Sequence, residues 1–439
     1  ISNISLNGIL ITPQVGIGQY GLAFNAGAVG SSVKFVEIHD FPDAGLFIGA
    51  NDMVIQGCNI HDNDGAGILG NAVSGCQIGG PVLISDGNFI YDNNGSSGDG
   101  IQLFTDIFGN LSDSNLIIGN YIGTLDGITS SSNERSGISI WGNYNRVTKN
   151  VVSGNNYNGI RMGDDIDEPS TGNIIDSNVI GLTFDRSDTL PNGHGNTGEG
   201  IYVRYGINDT ILGNHIGGNI GNGIEFATEG NASLIKENYI GVVDESTFHS
   251  GNQGSGILIR GNSNIIELNK SGNNLNGIVA AGDSNHVRSN ILGSLGTTKL
   301  PNIVDGVRVS GDYNIVGGDP SEKNICSGND LFGITVSGAG STGNLVKNNI
   351  IGTDSTTNFL ISNGRDGVRL TDSIQSTQII ENIIDGNDSS GVRLSETFGR
   401  RPRGTIFENN QIGLPAVGFD GNRLSGIVPV SYTHLTLPT

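Results

Sequence analysis

The feature that most constrains this chain is a short motif that recurs along it: a glycine, then Ile, Val or Leu, then residues that alternate in character. It starts at Gly45, Gly67, Gly100, Gly137, Gly159, Gly200, Gly223, Gly256, Gly277, Gly306, Gly333, Gly367, Gly391 and Gly426, at intervals of 21 to 41 residues whose shortest members cluster near 22. A recurring minimum of that length is the signature of a stacked repeat, in which no unit can bury its apolar face without its neighbours. Around 22 residues supply three strands of four or five residues with tight turns between them, each pairing with its counterpart one coil away, about 4.8 Å along the axis.

Upstream of each glycine lies a second apolar position, in one of two contexts. The first is N-x-I-x-x-N, as in NVVSGN at 150–155, with inward residues Ile38, Ile60, Ile90, Val152, Ile216, Cys326 and Ile384. The second is N-x-I-G, as in NYIG at 120–123, with inward residues Ile122, Ile180, Ile240, Leu292, Ile351 and Ile412. From Ile90 onward the two alternate, so the full repeat is a pair of coils spanning 54 to 64 residues, the second with an insertion before its glycine. The insertions, 124–136, 182–199, 242–255, 294–305, 353–366 and 414–425, all leave the same edge and are positioned to wall a groove. Helical solenoids share this period range but need long helix-forming stretches. Here the 71 glycines, about twice ordinary usage, and the spread of asparagine and β-branched residues defeat helix propagation. The expectation is an all-β parallel β-helix. Glycines would serve turns that need positive φ, and Asn120, Asn150, Asn178, Asn214 and Asn238 suit a stacked ladder of side-chain amides.

The segments NVVSGNNYNGI (150–160), NYIGT (120–124) and NNIIGTDSTTNFLISNGRDGV (348–368) resemble the right-handed parallel β-helix repeats of the pectin-lyase-like superfamily, in the version common in large bacterial surface and secreted proteins. The resemblance covers nearly all of residues 36–428. It implies a single-stranded right-handed solenoid of about 14 or more coils through residues 1–430, in an extracellular or cell-surface setting. It further implies a structural, adhesive or glycan-contacting role, with a polysaccharide-active enzyme (a lyase, epimerase or glycosidase on an acidic glycan) as the alternative. Both ends read as edges of a longer protein. Residues 431–439 (SYTHLTLPT) depart from everything before them and resemble adaptor-derived read-through.

Charge and cysteine content narrow the partners. Forty-three acids against 22 bases give a formal charge of −21, which repels nucleic acid and anionic membranes. No apolar run reaches the roughly 18 to 20 residues of a membrane-spanning helix. Cys58, Cys76 and Cys326 form neither a disulfide framework nor a metal-ligand spacing and read as buried small hydrophobes, with a Cys58–Cys76 bridge left open.

Strand alternation fixes which side chains leave the core after each repeat glycine. One outer column holds Ser139, Arg161, Tyr202, Glu225, Leu258, Val279, Arg308, Thr335, Arg369 and Arg393; another holds Trp141, Gly163, Arg204, Ala227 and Arg260. Trp141, Arg161, Tyr202, Arg204, Glu225 and Arg260 are therefore the candidate glycan-binding residues: rings to stack on a sugar and guanidinium groups for its carboxylate or sulfate. The bland reading is a solvated sheet face with ordinary cross-strand pairs. Asp164, Asp165 and Asp167, with Glu168 beside them, are candidate calcium ligands; no other cofactor is called for. Asp164 and Asp165 together with Gly193, His194 and Gly195 superficially resemble polygalacturonase-type glycosidases, but the Asn-Thr-Asp and Arg-Ile-Lys elements of that family are missing. His39 and His61, each followed by Asp, and Tyr91 in the next coil read as one turn repeated. Lys270, in LNKSGN, interrupts the apolar column, and a local slip of register that turns it outward is expected, since an unpaired buried ammonium is costly.

Overall fold

The computed structural model describes residues 5–7, 10–11, 19–163, 169–193, 198–243, 250–413 and 421–429. The chain divides into two compact units, Ile1–Ser233 and Leu234–Thr439. Each is a right-handed single-stranded parallel β-helix wound from the same three-strand coil. One coil of the first unit runs Arg146–Thr148, Val151–Val152, Ile160–Met162, and the next Ile174–Asp176, Val179–Ile180, Ile201–Ile207. Counterparts pair in parallel and in register: Val147 with Ile175, Val152 with Ile180, Ile160 with Ile201. The strands that follow the repeat glycines form the third sheet. In the first unit these are Leu22–Phe24, Leu46–Ile48, Ile68–Asn71, Ile101–Phe104, Ile138–Ile140, Ile160–Met162, Ile201–Ile207 and Ile224–Asn231. In the second they are Ile257–Ile259, Ile278–Ala280, Asp305–Val309, Phe332–Val336, Val368–Leu370, Ser390–Leu394 and Ser425–Val428. That tally agrees with the expected 14 or more coils.

The interior is the predicted apolar stack. Ile122, Val152, Ile180 and Ile216 in the first unit, and Ile240, Leu292, Cys326, Ile351 and Ile384 in the second, are fully buried. Each such aliphatic side chain contributes roughly 1.5–3 kcal/mol. All three cysteines are buried and free, so no Cys58–Cys76 bridge forms.

Glycines such as Gly123 (φ 80°), Gly154 (φ 80°) and Gly181 (φ 73°) serve positive-φ turns as expected, while the repeat glycine has another job. Its φ is not positive; it is needed because a neighbouring coil passes too close. A Cβ on Gly137 would stand 2.5 Å from Val152 Cγ1, 2.7 Å from Asn155 Nδ2 and 2.9 Å from the carbonyl of Gly159. Positive φ also recurs on the residue before a ladder asparagine, and that residue is often not glycine: Tyr144 (φ 55°), Lys149 (φ 57°), Leu268 (φ 58°).

The anticipated asparagine ladders form, and they close all three corners of the coil. In the first unit the ladders run Asn115–Asn145–Asn173, Asn88–Asn120–Asn150–Asn178–Asn214 and Asn63–Asn93–Asn133–Asn155–Asn192–Asn219. In each, one amide Nδ2 donates to the Oδ1 of the next, as from Asn120 to Asn150 at 2.9 Å and from Asn150 to Asn178 at 3.0 Å. The second unit repeats the device, for example Asn269–Asn290–Asn324–Asn349–Asn382. Three insertions form small hairpins, bridged antiparallel at Thr124/Ser130 and Leu182/Thr189 in the first unit and at Thr353/Leu360 in the second.

Lys270 does point outward, but no register slips. It pairs with Tyr239 and Ile291 in the regular ladder, and Ser271, paired with Ile240 and Leu292, takes the core position. Lys270 Nζ donates to the Tyr239 hydroxyl at 2.9 Å and lies 4.5 Å from the ring centroid. Ser271 satisfies its buried hydroxyl by donating to the carbonyl of Gly277 at 3.2 Å. The strand stays in phase because its asparagine, Asn269, is locked into the ladder two residues before Ser271.

Candidate functional site

The outer column of the third sheet is formed as the alternation requires. In the first unit Ser139, Arg161, Tyr202 and Glu225 stand on consecutive strands in register. Arg161 and Tyr202 are half-buried. Glu225 is more enclosed than expected, 8% exposed, with Asn222 Nδ2 donating to its Oε2 at 2.6 Å. Of the second column, Trp141 packs edge-on against Phe104 (centroids 6.2 Å, 86°), and its Nε1 has no hydrogen-bond partner among the described residues. Arg204 lies where the register shifts between Val203 and Tyr205, its guanidinium 5.1 Å from the Tyr205 ring centroid. The four first-unit residues Trp141, Arg161, Tyr202 and Arg204 thus share one sheet face with Glu225. Arg260 is exposed and belongs to the second unit. The proposed calcium ligands Asp164, Asp165 and Asp167, and His194 and Gly195, lie outside the described residues. Among the described residues, no group of three or more His, Cys, Asp or Glu side chains converges to hold a metal.

The second unit carries a concave site on the same sheet. Here the column continues Arg308, Thr335, Arg369, Arg393 on adjacent strands. A cavity of about 530 Å³ opens over it, lined by Leu331, Phe332, Arg365, Arg369 and Arg393 with Asp366, Ser389 and Ser395. Arg369 lies over the Phe332 ring, 4.9 Å from its centroid. Arg393 Nε donates to Asp366 Oδ2 at 2.8 Å, and Asp366 Oδ1 accepts from the Ser390 amide at 3.0 Å, so this buried carboxylate is fully engaged and fixes one guanidinium. Among the described residues Arg365 and Arg369 make no ion pair. The cavity therefore carries more positive than negative charge, on a chain whose net charge is −21.

Buried acids that strand alternation does not place in the column lie near it. Asp305 is 1% exposed, and its Oδ1 accepts from the Thr335 hydroxyl at 2.7 Å. Burial pushes its carboxyl up to about 6, against the pull of Thr335, Arg308 and Arg369. Asp99 in the first unit is 2% exposed, accepts from the Ser136 amide at 2.9 Å and the Ser139 hydroxyl at 3.1 Å, and is likewise raised by burial to about 6 despite Arg135 and Arg161. Asp99, Asp305 and Asp366 each stand immediately before a repeat glycine. An Asp-Gly pair reads as an ordinary turn, which hid them; acidity at that one repeat position was the available signal. His39, His61 and Tyr91 stack as the repeated turn predicts, with centroids 5.1 and 5.0 Å apart, each imidazole Nδ1 held by its own aspartate.

No family model and no curated protein matches the chain. Solved structures do. The Dettilon tailspike protein is 14% identical over 91% of this chain, with a TM-score of 0.45, and the chain spans 62% of the tailspike's length. The periplasmic alginate epimerase AlgG is 13% identical over 92% of this chain and 77% of its own, with a TM-score of 0.38. The catalytic unit of a thermostable GH87 α-1,3-glucanase from Streptomyces thermodiastaticus is 12% identical over 88% of this chain and 64% of its own, with a TM-score of 0.49. The likeness is one of fold. None of the three transfers a site to this chain, and no helix among the described residues is long and apolar enough to cross a membrane.

Proposed function

We propose that the chain binds an acidic polysaccharide through the outer face of its third sheet, as an adhesive or glycan-contacting segment working at the cell surface or in the surrounding medium. The observation that carries this reading is the cavity of about 530 Å³ with Arg365, Arg369 and Arg393 around Phe332. Guanidinium groups match a sugar carboxylate bidentately, and the buried Phe332 ring backs the Arg369 guanidinium. A volume of this order falls in the range of small-ligand sites. A solvated sheet face explains single arginines but not three of them converging on a concave surface of a strongly acidic chain.

Calorimetric titration with oligogalacturonate, oligoalginate and a neutral glucan of matched length tests it. The acidic oligomers are expected to bind and the neutral one not, with Arg369→Ala weakening binding by about tenfold or more, a loss of about 1.4 kcal/mol. Equal binding of the neutral glucan, or indifference to Arg369→Ala, sinks the reading. A second reading, polysaccharide cleavage or epimerisation, draws on Asp305, whose carboxyl at about 6 suits a proton-transfer group next to Arg308 and Arg369. Appearance of unsaturated products or new reducing ends, abolished by Asp305→Asn, would favour it over simple binding.

A further inference from the structure

The arrangement around Asp305 occurs twice. In the second unit an acid precedes the repeat glycine (Asp305, Gly306), a hydroxyl stands two residues after the next repeat glycine (Thr335, Gly333), and an arginine two residues after the following one (Arg369, Gly367). In the first unit the same three positions hold Asp99 before Gly100, Ser139 after Gly137 and Arg161 after Gly159. The contacts match as well as the spacing. Thr335 and Ser139 each donate a hydroxyl proton to Oδ1 of the buried acid, at 2.7 and 3.1 Å. Arg369 and Arg161 each follow in register on the next strand, within electrostatic reach of that acid. The aromatic neighbours differ in place: Phe332 lies against Arg369 from the strand before it, whereas Tyr202 is in register with Arg161 on the strand beyond it, where the second unit has Arg393.

Coincidence is a poor account of two such sets. The acid lies on one coil, the hydroxyl on the next and the arginine on the one after, so no single repeat encodes the group. A buried carboxylate is costly unless it is hydrogen-bonded and paired, and both acids meet that need through the same hydroxyl and arginine positions. In both places the acid accepts a bond from a buried hydroxyl and lies within electrostatic reach of an arginine on the next strand.

We propose that Asp99, Ser139 and Arg161, with Tyr202 alongside, form a second subsite for the carboxylate of a hexuronate residue, equivalent to the one around Arg369 in the other unit. This rests on the glycan-binding reading above. Arg161 takes the sugar carboxylate, Ser139 is held by Asp99 as a polar neighbour, and Tyr202 supplies the flat surface. Asp99 is a positioning residue and does not touch the ligand.

Titration with trigalacturonate separates this inference from the reading it depends on. The full chain is expected to bind about two trimers, Arg161→Ala and Arg369→Ala about one each, and the double variant none. Arg161→Lys, which keeps charge but loses the planar fork, should weaken one class of site while leaving the far-ultraviolet circular dichroism of the fold unchanged. If the wild-type chain binds a single trimer that Arg369→Ala abolishes and Arg161→Ala does not affect, the second subsite is wrong and the principal one stands. If no trimer binds, the glycan-binding reading itself falls.

Discussion

Asp209 occupies a place that asparagine holds on the coils before it. In the column Asn115–Asn145–Asn173 each side-chain amide donates to the next Oδ1, and Asp209 Oδ1 continues the chain by accepting from Asn173 Nδ2 at 3.3 Å and from the Asn173 backbone N–H at 2.8 Å. Its Oδ2 is buried and has no hydrogen-bond partner among the described residues, where an asparagine would present Nδ2 to a carbonyl as Asn173 does to Gly142. Burial pushes the Asp209 carboxyl up to about 7. The folded chain therefore holds this proton more tightly than the unfolded one. Between the ordinary value near 4 and the raised value near 7 only the unfolded chain has released it, so stability falls as pH rises through that window and stays low above it. Asp209→Asn should match the wild type near pH 4 and be more stable by about 1–3 kcal/mol at about pH 8, read by denaturant unfolding. No gain at the higher pH would mean that an unseen partner satisfies Oδ2. Asp305 extends the same logic to binding. Above about pH 6 its charge competes with a ligand carboxylate for Arg308 and Arg369, and below it that competition ends. Uronate affinity should rise on acidification, and Asp305→Asn should hold the acid-side affinity at neutral pH.

At the level of strands and corners, two substitutions separate the forces that keep coils in phase. Gly137→Ala pushes a methyl group against Val152, Asn155 and the Gly159 carbonyl of the neighbouring coils. Such overpacking should cost about 1–3 kcal/mol, visible as a lower midpoint in chemical unfolding. Asn150→Ala removes the bonds to Asn120 and Asn178 and also the donation to the carbonyl of Ile117, leaving buried groups on both sides unsatisfied. A loss of about 1–3 kcal/mol is expected from those orphaned partners, whereas a near-neutral result would show that water enters the corner. Lys270 shows why the ladders matter to reading a sequence. By apolar pattern alone the LNKSGN segment looked out of register, yet counting from Asn269 puts Ser271 inside and Lys270 outside with no irregularity. The polar ladder was the better ruler because its hydrogen bonds tolerate no shift, while a small hydroxyl can occupy an apolar slot if it finds an acceptor.

Over the whole molecule, opposing carboxylates define a window of best stability. Asp99, Asp209 and Asp305, raised by burial, favour acid conditions. Asp126, held low by the Thr129 and Ile128 amides, and Glu322, held low by the Asp319 amide, lose their contribution once acid protonates them, as pH falls through their depressed values. Unfolding free energy should therefore peak in mildly acid solution, between about pH 4 and pH 6, and a maximum above pH 8 would contradict the burial of those three acids. With a formal charge of −21, moderate salt should also raise the melting temperature by screening self-repulsion.

The sequence by itself determined the winding. A glycine-aliphatic motif that returns near every 22 residues, with a second apolar site upstream, leaves a chain no route to burying its side chains except stacking one coil on the next. It also determined which residues form the outer column, because strand alternation admits only two faces. The cavity around Arg369 and the buried acids near Arg161 and Arg369 were decided by tertiary structure. Each joins residues from successive coils separated by insertions of variable length, and only the completed stack brings those residues within hydrogen-bonding distance.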